Sequence, residues 1–168
     1  MYLLGEQPAY ADQLISRLQR IPAALLEGLT PAGEPLSIEE AQDLGQVLPG
    51  NQLFIIEHGM VNAFIDGRPL FYMQEGDLLG LRQGTEFPSC RYTTEEPLVL
   101  IPYTRSEVFK HIYASEERQE QFVQYLVGQT ALLSSALAQL KQPEIRPATG
   151  FQSFATGEEL IQQGDEAD

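Results

Sequence analysis

The sequence predicts a mainly β domain with helical segments at both ends. Between about Gly33 and Tyr103, short apolar runs alternate with turn signals at intervals of roughly 8–12 residues, which is typical of an antiparallel sandwich or barrel. On either side of this region, apolar residues recur at the three- and four-residue spacing of helices. A chain of 168 residues is long enough for one compact domain and a fragment of another.

Four apolar runs are the predicted strands. They are 53–56, 61–65, 70–73 and 98–101. The first and last are uninterrupted apolar runs, which predicts strands buried on both faces. Asp66-Gly67 separates the middle two and is a strong hairpin signal, because both residues tolerate a positive φ.

The predicted helices flank these strands. Leu14, Ile15, Leu18 and Ile21 form the apolar face of the first one. Pro22 is expected to break or restart that helix, since proline removes a backbone donor. After the strands, Thr104 is expected to cap a short helix, with Glu107 as its capping-box partner. A second helix is expected to run from Ser115 to about Lys141 and to end before Pro143.

The long second helix carries two apolar stripes. One has the alternating four- and three-residue spacing of a coiled-coil seam and comprises Leu126, Thr130, Leu133, Leu137 and Leu140. The other comprises Phe122, Tyr125, Leu132 and Ala136 and is expected to face the β region. A helix that is apolar on two sides needs two partners, so we predict a homodimer through the first stripe. The alternative is that both stripes pack inside one chain.

Composition excludes several classes of partner. The chain has 24 acidic against 10 basic residues and a net charge of −14, which predicts repulsion of DNA, RNA and anionic lipid surfaces. The single cysteine, Cys90, excludes an intrachain disulfide, and we expect it to be a small core residue. No Cys/His cluster has metal-ligand spacing, and no cofactor is expected. The sequence shows no signal peptide or membrane-spanning run, so the cytoplasm is the expected location.

The glycine framework of the β region resembles that of a known family. The residues that carry the resemblance are Leu53-Phe54-Ile55-Ile56-Glu57-His58-Gly59-Met60-Val61, Asp66-Gly67 with Leu70 behind it, and Glu75-Gly76-Asp77-Leu78-Leu79-Gly80. This pattern is similar to the cyclic nucleotide-binding domain of the catabolite activator and of protein kinase regulatory subunits. The resemblance implies an antiparallel double-stranded β-helix, a jelly-roll-like β-roll, with an N-terminal helix and a long C-terminal helix.

The C-terminal tail resembles the opening of a second such domain. Phe154-Ala155-Thr156-Gly157-Glu158-Glu159-Leu160-Ile161-Gln162-Gln163-Gly164-Asp165 carries that resemblance. The expected organisation is therefore an N-terminal helical segment at 1–30, a β-roll with closing helices at 31–142, and a linker with the start of a truncated second domain at 143–168. A downstream domain of the same chain is an expected partner.

The same resemblance implies a ligand site that lacks its usual residues. In the family, a glutamate directly after a glycine binds the ribose and an arginine pairs with the phosphate. Here Gly80 is followed by Leu81, and the arginine position falls near Glu86. Arg82 and Arg91 are the two residues that could replace the missing arginine. A pocket lined by Leu79, Leu81, Phe87 and Tyr92 would suit an apolar ligand or self-packing.

These observations predict a non-enzymatic regulatory module, not able to bind cAMP or cGMP itself, that acts in dimerisation or signal relay. One alternative is a working cyclic nucleotide sensor that uses Arg82 or Arg91. A second alternative is a cupin-like metal enzyme. The chain has only His58 and His111 to offer a metal, and His111 falls on a predicted helix.

Overall fold

The computed structural model describes residues 2–3, 11–39, 43–82 and 90–140. Its helices are α1 (Ala11–Leu26), α2 (Leu44–Val47), α3 (Arg105–Tyr113) and α4 (Glu116–Leu140). Its strands are β1 (Tyr2–Leu3), β2 (Leu36–Ile38), β3 (Gln52–His58), β4 (Val61–Ile65), β5 (Arg68–Met73), β6 (Leu78–Leu79), β7 (Arg91–Thr93) and β8 (Leu98–Thr104). The four predicted strands are confirmed as β3, β4, β5 and β8.

The strands form two antiparallel four-stranded sheets, as the predicted fold class requires. One sheet has the order β1-β5-β4-β7 and the other the order β2-β8-β3-β6. The hairpin between β4 and β5 turns at Asp66 and Gly67, whose φ angles are 50° and 75°. These positive values confirm the hairpin that the Asp-Gly pair predicts.

Strands β3 and β8 are the centre of the second sheet and of the core. They pair from Gln52 opposite Thr104 to Ile56 opposite Leu100, after which the register shifts by a bulge before His58. Phe54 and Leu100 are completely buried. The two apolar runs therefore form the central strands, but the prediction that they are buried on both faces is wrong, because Ile55, Val99 and Ile101 are only half-buried. Cys90 is a buried core residue as predicted.

Helix α1 corrects one expectation about the N-terminal segment. Pro22 neither breaks nor restarts the helix, because α1 runs without interruption from Ala11 to Leu26. Proline still removes one intrahelical hydrogen bond. However, Pro22, Ile21 and Leu25 are all buried in the core, so tertiary packing offsets that loss.

The two closing helices begin where the sequence predicts, although one cap differs in detail. Thr104 occupies the cap position of α3, but its side chain makes no capping hydrogen bond, so the predicted capping box with Glu107 does not form. At α4, the Ser115 hydroxyl accepts a hydrogen bond from the Arg118 amide at 3.4 Å, and the Ser115 carbonyl accepts from the Gln119 amide at 3.0 Å. Ser115 therefore begins α4 as expected.

Helix α4 packs one face against the roll and α1. Of the second predicted stripe, Tyr125 and Leu132 are completely buried and Phe122 is half-buried against the core, as expected for a face that packs inside the chain. The side chain of Ala136 lies outside the described residues. Gly128 lies so close to α1 that an added Cβ would be 2.5 Å from Leu18 Cδ2. The Arg17 guanidinium adds a hydrogen bond of 3.1 Å to Gln124 across the same contact.

Some elements were not predicted, and one predicted segment lies outside the described residues. Strands β1, β2, β6 and β7, which are the edge strands of the two sheets, and the single turn α2 are not among the predicted runs. The proposed second-domain start at 143–168 lies outside the described residues. None of the described helices combines the length and apolar character needed to cross a membrane.

Candidate functional site

The candidate site begins where β6 ends, at the turn formed by Gly80, Leu81 and Arg82. Gly80 has a φ of +103°, a conformation that side chains with a Cβ rarely adopt. A Cβ there would also lie 3.1 Å from the Gln52 carbonyl oxygen at the start of β3. The chain can therefore make this sharp turn against β3 only with glycine at position 80.

Arg82 lies against the buried cysteine on the other side of the same loop. Its Nη1 is 3.1 Å from the Cys90 Sγ, within hydrogen-bond distance. Burial raises the pKa of the Tyr92 hydroxyl, and the positive charge of Arg82 partly offsets that rise. The sequence predicts that Arg82 belongs to a ligand site. In the structure, Arg82 contacts residues at the start of β7.

Two tyrosines are buried in this region, Tyr92 next to Arg82 and Cys90, and Tyr125 near Tyr92. Tyr92 is 7% exposed and Tyr125, from α4, is 0% exposed. Burial raises the pKa of Tyr92, and the neighbouring Cys90 raises it further. Burial also raises the pKa of Tyr125, with smaller contributions in the same direction from Asp77 and Tyr92. Both phenols are therefore neutral across the physiological range.

The Tyr125 hydroxyl lies deep between α4 and the roll. Leu78 and Gln129 are near it and partly counteract the rise of its pKa, but the hydroxyl makes no hydrogen bond of good geometry among the described atoms. A buried hydroxyl without such a bond is costly. Tyr125 is held there by the burial of its ring rather than by its polar end.

Arg91 lies on the opposite face of strand β7 from Tyr92. Successive side chains of a strand point to opposite faces. Arg91 is exposed, and its guanidinium carbon lies 5.6 Å from the ring centroid of Phe64 on the neighbouring strand. The structure therefore brings Gly80, Leu81 and Arg82 together and places Arg91 outside that group. Glu86, Phe87 and Pro88 lie outside the described residues.

Sequence reasoning missed Arg105, the first residue of α3. Its Nη1 donates to the Gly80 carbonyl at 2.8 Å and its Nη2 donates to the Leu81 carbonyl at 2.9 Å. The same guanidinium lies 5.4 Å from the ring centroid of Phe109. Nothing in the local sequence marks this residue, since its partners are more than twenty residues away.

The two histidines do not meet. His58 lies 3.0 Å from a carboxylate oxygen of Glu75 at an exposed turn. His111 lies 3.0 Å from the Glu27 carbonyl oxygen, just beyond the end of α1. Within the described ranges, no group of three or more His, Cys, Asp and Glu side chains is arranged to hold a metal ion.

Comparison with known proteins gives structural likeness without sequence relatives. No family model and no curated protein matches the chain. Among solved structures, FixK2 from Bradyrhizobium japonicum matches with a TM-score of 0.50 and 16% identity over 65% of this chain. Oxidized CprK in complex with o-chlorophenolacetic acid matches with a TM-score of 0.48 and 13% identity. This match covers 76% of the present chain and 52% of the CprK chain. The cGMP-bound EAL enzyme Bd1971 has a TM-score of 0.45 and 21% identity over 64% of this chain.

This chain spans only part of these proteins, 58% of FixK2 and 31% of the EAL enzyme. At such identities the likeness concerns the fold. The two antiparallel sheets, the leading helix and the long closing helix agree with the architecture that the glycine framework implies. The chain therefore has the β-roll fold of the cyclic nucleotide-binding domains.

Proposed function

We propose that this chain is a regulatory module whose roll does not bind cAMP or cGMP, and which pairs with a second copy through the outer face of α4. The observation that carries the first part is the filling of the roll interior by the chain's own side chains. Tyr92 is buried beside Arg82, Tyr125 is buried near Tyr92, and Leu81 follows Gly80 where a ribose-binding carboxylate would be needed.

The electrostatics of this region support the same proposal. A bound cyclic phosphate needs a positive partner, because an unpaired buried charge is very costly. Among the described residues, Arg82 is the arginine that follows Gly80 most closely in sequence, and its guanidinium already contacts the Cys90 thiol. Arg105 donates to two backbone carbonyls, and Arg91 lies on the outer face of β7. A phosphate would have to displace one of these contacts.

Calorimetric titration of the protein with cAMP and with cGMP tests this part. We expect no saturable heat for either nucleotide at micromolar concentrations. The competing proposal is a working cyclic nucleotide sensor. It is favoured only by the position of Arg82, which lies next to Cys90 at the start of β7. Micromolar binding that is lost in Arg82→Ala and kept in Arg91→Ala would establish that alternative and overturn ours.

The outer face of α4 supports the second part. Val123, Val127 and Leu137 are 56%, 62% and 52% exposed, and Leu126 is 40% exposed. Between Gln121 and Lys141 the helix contains no charged residue, in a chain of net charge −14. This exposed apolar stripe is the one surface of α4 where two such acidic chains could approach without bringing like charges together.

The residues of the predicted seam differ in exposure. Leu126, Thr130 and Leu137 are exposed, whereas Leu133 is half-buried and packs against the core. The side chain of Leu140 lies outside the described residues. Val123 and Val127 extend the exposed stripe towards the start of the helix. In the dimer we propose, these two valines join Leu126, Thr130 and Leu137, and Leu133 lies at the edge of the contact.

Sedimentation velocity of the wild-type protein and of two variants at one exposed position tests the dimer. Val127→Asp puts a carboxylate into the proposed contact, and Val127→Thr keeps the shape of the side chain without the charge. We expect a dimer for wild type, a monomer for Val127→Asp, and an intermediate or unchanged dimer for Val127→Thr. A wild-type monomer at tens of micromolar would overturn the proposal.

The expected downstream partner completes the proposed role. The tail at 143–168 carries Gly157-Glu158 and Gln163-Gly164-Asp165, which resemble the opening of a second domain. In this proposal, α4 holds two copies together and sets the spacing of the domains that follow them.

A further inference from the structure

Arg105 occupies a position that its own helix does not favour. It is the first residue of α3, where the partial positive charge of the helix dipole disfavours a cation. No carboxylate of the described residues lies within salt-bridge distance of it, although the chain has 24 acidic residues. The reason for an arginine at this position is therefore to be found in its tertiary contacts.

Those contacts hold one turn from two points. The guanidinium donates through Nη1 to the Gly80 carbonyl at 2.8 Å and through Nη2 to the Leu81 carbonyl at 2.9 Å. Hydrogen bonds from a charged donor are stronger than neutral ones. The rigid fork of arginine can reach two carbonyls at once, whereas the single ammonium of lysine cannot reproduce that geometry. The hydrogen bonds of Arg105 therefore depend on the backbone conformation of the turn at Gly80 and Leu81, where the candidate site begins.

The same side chain contacts the aromatic cluster that joins α3 to α4. Its guanidinium carbon is 5.4 Å from the ring centroid of Phe109. The Phe109 ring meets that of Phe122, on α4, edge to face at 5.8 Å and an interplanar angle of 80°. Both rings are half-buried against the core. One continuous series of contacts therefore runs from the Gly80 carbonyl to helix α4.

The backbone fixes the near end of this series. The Arg105 amide donates to the Asn51 carbonyl at 3.0 Å, which ties the start of α3 to the start of β3. Gly80 also lies against Gln52 and Leu53 at the start of the same strand. With both backbones anchored there, a shift of the Gly80 and Leu81 carbonyls must be taken up by the Arg105 side chain, whose guanidinium carbon lies 5.4 Å from the Phe109 ring centroid.

We propose that Arg105 is a positioning residue that couples the conformation of the 80–82 turn to the packing of α4 through Phe109 and Phe122. When the turn rearranges, the guanidinium loses its two carbonyls and its place over Phe109, and the edge-to-face contact with Phe122 changes with it. The regulatory meaning of this coupling rests on the proposed function. The coupling itself exists within one chain.

Amide hydrogen exchange followed by mass spectrometry tests the coupling in peptides that span the 80–82 turn. Arg105→Met removes the hydrogen bonds and keeps an unbranched side chain, and we expect exchange in the turn to rise about tenfold. Arg105→Lys keeps the charge without the fork, and we expect most of the same rise. Lys110→Met, which removes an exposed cation from the same helix, is the matched control and should leave the turn unchanged.

The decisive variant lies on the other helix. Phe122→Leu does not touch the turn, and we expect it to raise exchange there about threefold in the wild-type background and not at all in Arg105→Met. A peptide covering 14–21 in α1 reports global destabilisation and corrects for it. If Phe122→Leu leaves the turn unchanged, or if its effect simply multiplies with that of Arg105→Met, the coupling does not exist.

The hydrogen-exchange experiment tests the coupling through Arg105 independently of the proposed dimer. Should Arg105→Met not fold, Arg105→Lys and its combination with Phe122→Leu carry the same comparison. Repeating the exchange in the Val127→Asp background gives the expected coupling in a monomer. A coupling that is present there, with a wild-type protein that does not dimerise, would overturn the proposed dimer and leave the role of Arg105 intact.

Discussion

The inner and outer faces of helix α4 are both uncharged along most of the helix, yet they have opposite environments. On the inner face, Tyr125 and Leu132 are 0% exposed, whereas on the outer face Val123 and Val127 are more than half exposed. Apolar composition alone therefore does not say which face packs inside the chain. The difference comes from a third feature, Gly128, which lets α1 approach the inner face closely enough to cover it.

This comparison assigns two separate roles to one helix. Side chains of the inner face contribute to the free energy of folding of a single chain, because they lose their solvent contact within it. Side chains of the outer face contribute to that free energy very little and are available for a second chain. Substitutions on the two faces should therefore differ in what they change, and the expected effects range from several kcal/mol to almost none.

The largest effect is expected for Tyr125→Ala. Removing a completely buried aromatic ring leaves a cavity between α4 and the roll, and we expect the free energy of unfolding to fall by about 3–5 kcal/mol. Tyr113→Ala is the matched control, since Tyr113 is 66% exposed, and it should cost less than about 1 kcal/mol. Urea unfolding followed by circular dichroism measures both. Equal losses for the two variants would contradict the assignment of the inner face.

A second effect of the inner face appears at alkaline pH. Burial raises the pKa of Tyr125 and of Tyr92 in the folded chain. Above the ordinary tyrosine pKa of about 10, the unfolded chain loses these protons while the folded chain keeps them, so stability is complete below that pH and falls above it. The expected slope is about 1.4 kcal/mol per pH unit for each tyrosine.

Urea unfolding between pH 9 and pH 11 measures this slope, with those limits set by the tyrosine pKa of about 10. Tyr125→Phe and Tyr92→Phe should each flatten it. Tyr103→Phe should flatten it less, because a smaller desolvation raises the pKa of this more exposed phenol. An unchanged slope in Tyr125→Phe would show that the phenol can ionise without unfolding, and hence that α4 moves away from the roll at high pH.

A smaller loss is expected for Gly128→Ala, at the contact that covers the inner face. The added Cβ would lie 2.5 Å from Leu18 Cδ2 and 3.2 Å from both Cδ1 and Cγ, so the whole leucine side chain must move. Overpacking of this kind costs about 1–3 kcal/mol, and the better helix propensity of alanine offsets up to about 1 kcal/mol. We expect a net loss of about 1–2 kcal/mol in urea unfolding.

The double variant Leu18→Ala with Gly128→Ala checks the cause. Leu18→Ala alone removes a buried side chain and is destabilising. If the two side chains compete for one space, the second substitution should cost less in the presence of the first. Strictly additive losses would mean that α1 and α4 are not in the close contact that Gly128 permits.

Much of the framework could be predicted from local signals. The Asp66-Gly67 hairpin and the buried runs of β3 and β8 depend on turn chemistry and apolar patterning, which reside in neighbouring residues. The effect of Pro22 on helix α1 could not be predicted correctly from such local signals. Its helix continues because Pro22 is buried among core residues, and that burial is decided by distant parts of the chain.

The candidate site was predicted less completely for the same reason. The glycine framework drew attention to Gly80, which has a positive φ in the structure, whereas the role of Gly80 and Arg82 in a ligand site stays a prediction. The position of Arg91 follows from the two-residue period of β7, which the sequence did not show because that strand has only three residues. Arg105 depends on partners in another element, and the start of a helix is a position where an arginine is least expected.

The smallest effect is expected on the outer face, and it is the sharpest test of the comparison. Val127→Thr removes apolar surface that is 62% exposed, so in a monomer we expect the free energy of unfolding to change by less than about 0.5 kcal/mol. Leu132→Ala, a truncation on the inner face of the same helix, is expected to cost about 2–5 kcal/mol. Both are measured at protein concentrations low enough that no second chain contributes, and Leu132→Ala is measured again in the Val127→Asp monomer. A loss above about 1 kcal/mol for Val127→Thr under those conditions would mean that the outer face is covered by this chain's own residues, and would remove the surface on which the dimer depends.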